Sequence, residues 1–444
     1  MSQSFHIVNA EPVQYTLFTR VFGAIDTPEL KRKLENSWKD LLGPIERTYL
    51  NDAAATAAIQ KADVPQKAAS FVTFSADTEH IKRWERSANI RVVTPDLPDK
   101  PGVVEANLQS LARDFGACVS IPLLYGQDFL DRYPQLLDDF WKFDNDLFPL
   151  LMIGVPSWAP FKIMKEGLAA RSRLANEMEA LYRRIDQYQR GEPVDFGADM
   201  SDISSTALDR NKIYEREDWS IRHRGEGDLA ILWGQNANTQ PVLFWFLAYV
   251  YSTPGLLSKL REEIAPYVRV SQTYPREITS MDLPALPRDC PLLKACIFET
   301  YRMTIEATSI RYIEHPITID DGVYKHELKS GTFVSVPHSL IQRDPSVYAD
   351  PDNFVPDRFL GPDPESGKLV ARYGKLKPWG SGSAMCKGRS FAEKEIMSLG
   401  AAIISLWDIG PASGTWKLPA IVPGTGVKKP VEDIRVVIKW RVIP

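Results

Sequence analysis

The segment that most constrains the fold is a glycine-rich turn that carries one cysteine and leads into a helix-like stretch, "PWGSGSAMCKGRSFAEKE" from Pro378 to Glu395. Around Cys386 stand Gly380, Gly382 and Gly388, and glycine lets backbone N–H groups approach a sulfur atom closely. The following helix would direct its positive end at the same atom. Because both effects stabilise an anion, the sequence predicts a thiolate at a turn-to-helix junction.

Four roles for Cys386 compete. A phosphate-binding loop would end in Gly-Lys-Ser or Gly-Lys-Thr, which this segment lacks. A nucleophilic cysteine needs a histidine base, and the chain has six histidines, so that role stays open, as does a buried structural thiol. A thiolate metal ligand accounts for the glycines and the helix together. A single axial thiolate with no other soft ligand nearby suits heme iron, whose equatorial ligands come from the porphyrin.

Composition excludes several other classes of protein. The 444 residues are 44% hydrophobic and 25% charged, which is typical of a globular chain. A formal net charge of -4 is too balanced for wholesale nucleic-acid binding. Cys118, Cys290, Cys296 and Cys386 form no CxxC pair and have no histidine at zinc-finger spacing, so neither a zinc site nor a disulfide framework is predicted.

Hydrophobic spacing divides the chain into a helical part and a strand-rich part. Apolar residues at three- and four-residue steps predict helices over most of residues 27–164 and from about 165 to 189. Beyond Arg311, Ile, Val and Thr alternate between Asp-Gly and Ser-Gly turns, as in short antiparallel strands. A Pro- and Asp-rich stretch, the cysteine loop, a helix over about Ser390–Trp407 and two terminal strands complete the chain. The pattern predicts a mainly α protein with small β-sheets.

One apolar helix is interrupted by polar residues. In "LAILWGQNANTQPVLFWFLAYV" the run is broken by Gln235, Asn236, Asn238 and Thr239, and Pro241 removes the backbone hydrogen bond to residue 237. Buried polar groups are costly unless they are satisfied. The segment therefore predicts a locally opened helix, with a tolerated kink as the alternative.

Two further segments carry paired charges. In "LLKACIFETYRM", Glu299 and Arg302 are three residues apart and share one helix face. In "FVPDRFL", Arg358 follows Phe354 in the Pro- and Asp-rich stretch and precedes Phe359. Taken alone, such residues are typical of surface ion pairs.

Together, and in their order along the chain, the four segments resemble those of the cytochrome P450 heme-thiolate oxygenases. Trp379 stands where phenylalanine is commoner. The resemblance extends from about Thr27 to the C-terminus and is sharpest after Gly227. It implies the helix-rich triangular prism of that family, heme b as cofactor, O2 as co-substrate and Cys386 as the axial iron ligand. Trp379, Gly380, Gly382 and Gly388 would belong to the heme-binding loop.

The resemblance also implies roles for the other segments. The opened helix would lie over the iron, with Asn238 and Thr239 at the positions of the family's acid–alcohol pair. Glu299, Arg302 and Arg358 would form a buried triad that locks the Pro- and Asp-rich meander against the core.

Departures from the commoner pattern indicate one branch of the family. An arginine that usually binds a heme propionate two residues before the cysteine is here Ala384. Arg311 resembles the propionate-binding arginine of the sterol 7-alpha-hydroxylase and prostacyclin-synthase branch, although a strand-edge cation is the alternative. Trp38 or Lys39 could also reach a propionate, and a plain amphipathic-helix role is the competing interpretation.

That branch contains hydroxylases and isomerases. The retained hydroxyl of Thr239 favours a monooxygenase acting on a lipophilic sterol, terpenoid or secondary metabolite, whereas Asn238 keeps a reductase-independent isomerase or dehydratase open. A heme-binding protein without turnover is a third interpretation. Five cations without an intervening acid, at Arg372, Lys375, Lys377, Lys387 and Arg389, would suit docking of an NADPH-dependent flavoprotein reductase. A solvated basic loop is the alternative.

The amino terminus matches the family least. We expect a single domain with an atypical start at 1–26, a helical region at 27–310, strands at 311–340, meander and ligand loop at 341–389, and a proximal helix with terminal strands at 390–444. The family's membrane anchor and first strands have no counterpart before Thr27, which suggests a truncated sequence. The relatives' location implies the endoplasmic reticulum membrane for a full-length form, whereas the chain as written is expected to be soluble and to lack one wall of its substrate pocket.

Overall fold

The structure, a computed structural model, describes residues 8–75, 77, 79–97 and 101–442. In its first half the helices alternate with short connections, and several start at a side-chain cap. The Thr27 hydroxyl accepts the N–H of Leu30 at 3.1 Å, for example, which satisfies a backbone donor that has no partner inside the helix. These helices are α1 Glu11–Thr16, α2 Pro28–Ile45, α3 Asp52–Gln60, α4 Val64–Ala69, α5 Leu108–Ser120, α6 Pro122–Tyr125, α7 Gln127–Arg132, α8 Leu136–Lys142, α9 Phe148–Met152, α10 Lys162–Arg190 and α11 Ser205–Arg216.

The second half contains the helices that form the centre of the molecule. Nearly every side chain of the helix after Pro241 and of the helix after the cysteine loop is buried, as expected of elements that are apolar on all sides. They are α12 Ile221–Asn236, α13 Thr239–Ser252, α14 Leu256–Ile264, α15 Leu286–Asp289, α16 Pro291–Thr304, α17 Ser339–Gln342 and α18 Arg389–Leu406.

Short π-helical and 3-10 turns extend or connect these helices. The π-helical turns Leu17–Val21, Glu46–Leu50 and Phe143–Leu147 follow α1, α2 and α8, and the 3-10 turns are Arg83–Glu85, Pro356–Phe359 and Gly382–Ala384.

The strands form small antiparallel sheets at the edges of the helical body. One sheet has the order β1-β6-β9, another β12-β15-β3-β2, and the rest are two-stranded. The strands are β1 Val8–Asn9, β2 Arg91–Thr94, β3 Val103–Asn107, β4 Val268–Val270, β5 Ile278–Met281, β6 Thr308–Ile313, β7 Ile317–Asp320, β8 Lys325–Leu328, β9 Phe333–Pro337, β10 Leu360–Pro362, β11 Leu369–Ala371, β12 Trp407–Pro411, β13 Ile421–Val422, β14 Lys429–Pro430 and β15 Arg435–Trp440.

The prediction of a mainly α protein with small sheets is confirmed, but the stretch predicted as mostly helical also contains strands. β2 and β3 lie inside it, and β3 pairs with β15 so that Ala106 faces Val436. β1, in the part predicted as an atypical start, pairs with β6 through Asn9 and Tyr312. Local periodicity missed β1 and β3 because they pair with β6 and β15, more than 300 residues away, and β2 pairs in turn with β3. The division into five stretches stays a prediction.

In the described part of the chain, no single helix is both long and apolar enough to cross a bilayer. The pair Ile221–Ser252 and Leu256–Ile264, bent by 112°, has sufficient length and composition only when taken together.

Candidate functional site

A cavity of about 540 Å³ lies between α12, the start of α13, the cysteine loop and β6. Its lining is predominantly apolar, which suits a lipophilic occupant. Seven of the eight predicted catalytic and cofactor-binding residues line it together: Asn238, Thr239, Arg311, Trp379, Gly380, Cys386 and Gly388. The fold thus brings the cysteine loop and the interrupted helix to one space, although about 150 residues separate them in the chain.

The cysteine loop presents the Cys386 side chain to this cavity. Gly380 and Gly382 have φ angles of +74° and +73°, a conformation that glycine adopts without strain, and the Cys386 N–H donates to the Trp379 carbonyl at 3.0 Å. The two glycines therefore shape the turn. Gly388 caps the start of α18, and a Cβ atom at this position would lie 4.0 Å from the Cys386 sulfur.

The surroundings of Cys386 act on its ionisation in opposite directions. Burial raises the pKa of the Cys386 thiol above its ordinary value, and the Gly388 N–H and the cations Arg389 and Lys387 offset only part of that rise. A further positive charge near the sulfur would favour its anionic form. A bound iron would supply one, because a coordinating thiol is deprotonated by the metal itself.

Arg311 places a buried positive charge at the cavity. Its side chain is only 5% exposed, and it donates to the carbonyls of Ile310 at 2.8 Å and Ser381 at 2.9 Å. Burial lowers the pKa of the guanidinium, and among the described residues no carboxylate forms an ion pair with it. A buried cation paired only with carbonyl groups suits an incoming anion such as a heme propionate. Ala384 lines the same cavity and offers no charge.

The interrupted helix opens where the sequence predicts. α12 ends at Asn236 and α13 begins at Thr239, where the Val242 N–H donates to the carbonyl of the N-cap residue Asn238 at 3.2 Å. The Oδ1 atom of Asn238 is buried without a hydrogen-bond partner and lies against Gly426 of the turn between β13 and β14. This turn forms a wall of the cavity directly beside the opened helix.

A polar cluster behind the opened helix was not predicted. Gln240 Nε2 donates to Glu395 Oε1 at 2.9 Å and to Ser120 Oγ at 3.2 Å. Burial raises the pKa of Glu395 to about 8, and both Glu395 Oε2 and Gln240 Oε1 lack a partner. A glutamine and a glutamate inside otherwise apolar helices were the available signal, but nothing in the sequence indicated that they meet.

The residues of the predicted triad are in contact. Arg302 makes two 2.8 Å bonds to the carboxylate of Glu299, and Arg358 Nε bonds to Glu299 Oε1 at 3.1 Å. Arg302 also donates to the carbonyls of Gln342 and Pro351 at 2.7 and 2.8 Å. The cluster therefore ties α16 to the meander by bonds to both side chains and backbone.

The predicted basic surface is less positive in space than in sequence. Arg372 pairs with Asp363 and Lys387 with Glu46, each at 2.8 Å. Lys375 and Lys377 are exposed. Acids from other segments thus offset part of the charge that the sequence suggested.

The amino-terminal segment supplies cavity residues that were not predicted. The cavity is lined in part by Ala10, Val13, Gln14 and Leu17. Residues before Thr27 therefore contribute to a wall of the pocket. Trp38 lies instead in a separate groove of about 470 Å³. Within the described ranges, neither it nor Lys39 is among the residues that line the Cys386 cavity, which does not favour a propionate role.

Comparison with known proteins identifies the family. The model of the family "Cytochrome P450" matches residues 127–430, more than half of the chain. The chain belongs to the cytochrome P450 family. This cytochrome P450 is 26% identical over 344 residues to the "Cytochrome P450 monooxygenase poxD" of Penicillium oxalicum, which covers 76% of this chain and 65% of that protein.

A sterol enzyme and a solved structure are also similar. The "25-hydroxycholesterol 7-alpha-hydroxylase" of Rattus norvegicus is 27% identical over 321 residues, covering 67% of this chain and 71% of that protein. A crystal structure of a cytochrome P450 aligns with a TM-score of 0.63 at 17% identity, covering 97% of this chain and 87% of that chain. The chain thus spans about two thirds of the length of these curated relatives and has the P450 fold.

The residues of the cavity fit the family's heme-thiolate cofactor. Three features fit heme: the Cys386 thiol lines the cavity, the buried Arg311 has no carboxylate partner among the described residues, and the walls are mostly apolar. Cys386 would hold the iron and Arg311 a propionate.

Proposed function

We propose that this cytochrome P450 is a heme-dependent monooxygenase that inserts one atom of O2 into a C–H bond of a lipophilic small molecule. The observation that carries the proposal is the shared cavity, which places the Cys386 thiol and the opening at Asn238 and Thr239 in one apolar space. Heme, when bound, would supply the chemistry of oxygen activation.

The chain's own residues would position and protonate. Cys386 binds the iron, and Arg311 neutralises a propionate. Oxygen activation consumes protons, and the Thr239 hydroxyl, which is 7% exposed, is a donor placed at the cavity. Asn238 cannot act as an acid, so its amide would position a ligand or solvent rather than supply a proton.

The substrate would be lipophilic with a hydrogen-bond donor. Apolar side chains such as Leu17 and Ile231 line most of the cavity, whereas Gln14 Oε1, which also borders it, is a buried acceptor without a partner. An alcohol on a largely hydrocarbon skeleton fits that combination. The sterol named for one relative and the monooxygenase name of the fungal one support a sterol, terpenoid or other secondary metabolite.

Electrons would come from an NADPH-dependent flavoprotein reductase. The exposed side chains of Lys375 and Lys377, close in sequence to the heme-binding loop, support an acidic partner, because exposed charges accelerate association through long-range attraction.

The first test is the reduced carbon monoxide difference spectrum of protein expressed with heme precursor. We expect the band of thiolate ligation in the wild type, its loss in Cys386→Ala and its retention in the matched control Cys290→Ala, a buried thiol remote from the cavity lining. Absence of heme in the wild type would disprove the proposal.

The second test separates a hydroxylase from an isomerase. The isomerase is the competing function, because Asn238 is not an acid. NADPH consumption with a reductase, matched to oxygenated product, supports the hydroxylase; product formed without reductase supports the isomerase.

Thr239→Ala tests the proton donor. We expect NADPH consumption to continue while the product formed per NADPH falls, because oxygen would leave as peroxide or water when protons arrive at the wrong rate. Thr239→Ser, which keeps the hydroxyl, should restore coupling. Unchanged coupling in the alanine variant would rule out the role of Thr239.

A further inference from the structure

Trp379 lies in the wall between two cavities. Pro378, Trp379 and Gly380 line the cavity that holds Cys386 and also line a second one of about 710 Å³ on the other side of the loop. The second cavity is bordered by polar side chains, among them Lys377 and Arg389. Among Pro378, Trp379 and Gly380, Trp379 is the aromatic residue, so it offers an electron a route between this face and the Cys386 cavity.

The indole of Trp379 is the first member of a hydrogen-bonded chain. Its Nε1 donates to the Tyr373 hydroxyl at 3.0 Å, and that hydroxyl donates to Glu393 Oε2 at 2.6 Å. The other oxygen of Glu393 pairs with Lys294 at 3.1 Å. The chain therefore runs from the cysteine loop through two oxidisable rings to a carboxylate held by a cation.

Packing fixes the two rings. Tyr373 stacks on Phe298 with centroids 3.9 Å apart, and Tyr301 meets Trp379 edge-on at 5.2 Å. Burial and the neighbouring Glu393 raise the pKa of Tyr373 well above its ordinary range, so the phenol keeps its proton at rest. A phenol in this setting can lose an electron readily only if its proton moves at the same time, and Glu393 is placed to take it.

We propose that Tyr373 is a redox-active residue that returns an electron through Trp379 to the oxidised heme site, while its phenolic proton passes to Glu393. The oxidant is hydrogen peroxide, and its reduction to two molecules of water would take two electrons and two protons: Tyr373 supplies one electron, the heme site the other, and solvent both protons. At Tyr373 the O–H bond breaks, the proton binds Glu393, the electron crosses Trp379, and a neutral tyrosyl radical remains. The chain would protect the heme when no substrate is present.

This proposal rests on the proposed function, and the experiment separates the two. Heme-loaded protein, verified by its carbon monoxide spectrum, is mixed with hydrogen peroxide without substrate, frozen rapidly and examined by electron paramagnetic resonance. We expect a tyrosyl signal that narrows when ring-deuterated tyrosine is incorporated. Failure of heme loading contradicts the proposed function; a loaded protein without a tyrosyl signal contradicts only the redox role.

Variants assign the radical. Tyr373→Phe should abolish the signal, and Glu393→Gln should lower its yield because the amide takes up no proton. Trp379→Phe should lower the yield while the thiolate band persists. Tyr249→Phe, a buried ring stacked on Phe354 in another part of the fold, is the matched control and should leave the signal unchanged. An undiminished signal in heme-loaded Tyr373→Phe would overturn the assignment.

Discussion

Two of the buried polar clusters in this cytochrome P450 differ in how completely their hydrogen-bonding atoms are satisfied. Around Glu299, the carboxylate and both arginines use their hydrogen-bonding atoms, and among the described residues none of the three has a buried side-chain atom without a partner. Around Gln240, by contrast, Glu395 Oε2 and Gln240 Oε1 are unpartnered. A satisfied network fixes structure, whereas an unsatisfied one retains free hydrogen-bonding capacity.

The largest effect should come from breaking the satisfied cluster. Glu299→Ala leaves Arg302, which is fully buried, without a counter-charge, and we expect the free energy of unfolding in urea to fall by about 3–5 kcal/mol. Asp352→Ala, which removes the exposed partner of Arg343, is the control and should cost less than about 1 kcal/mol. Equal losses of unfolding free energy in Glu299→Ala and Asp352→Ala would contradict the stabilising role of the Glu299 cluster.

Replacing the unsatisfied carboxyl should instead stabilise the protein. The pKa of Glu395 is about 8 in the folded protein against 4.5 for the free group. Between those values the unfolded chain releases a proton that the folded chain keeps, so stability falls as pH rises, by about 1.4 kcal/mol per pH unit.

The free energy of unfolding of Glu395→Gln should therefore exceed that of the wild type increasingly from pH 4.5 to about 8 and by a constant amount above that. Denaturant titrations across this range measure the difference. Glu365→Gln, at an exposed position, is the control. A difference independent of pH would show that Glu395 is ionised in the fold.

The smallest effect concerns the turn that packs against the opened helix. A Cβ atom at Gly426 would lie 2.3 Å from Asn238 Oδ1, so Gly426→Ala must displace the amide at a cost of about 1–3 kcal/mol. Gly410→Ala has open space around it and should cost less. We also expect a shifted substrate-binding spectrum in Gly426→Ala alone; an unchanged spectrum would separate the turn from the site.

The predictable part of the molecule was the part with local signals. Helix α2 starts at the cap and proline that the sequence shows, and the cysteine loop, the break before Pro241 and the spacing of Glu299 and Arg302 are each contained in a few residues. The family resemblance then linked these segments, and the family model supports it.

The remainder depended on contacts between distant segments. Strand β3 needs β15 as its partner, Glu395 meets Gln240 across 155 positions, and Lys387 is paired by Glu46 from an early helix. The residues next to them in the sequence do not indicate which distant residue each one contacts. Their charges and strand propensity were visible, but the partners that give them meaning were supplied only by the packed fold.

Strand β6 determines where Arg311 points. It lies between β1 and β9, with Arg311 opposite Val334, and successive side chains of a strand face opposite sides. Inserting one residue just before Arg311 would turn the guanidinium outward and bring its neighbour into the cavity. The position of this positive charge in the cavity therefore depends on the register of β6 as much as on the identity of residue 311. A shift of one residue would remove the charge from the cavity even though the arginine itself is kept.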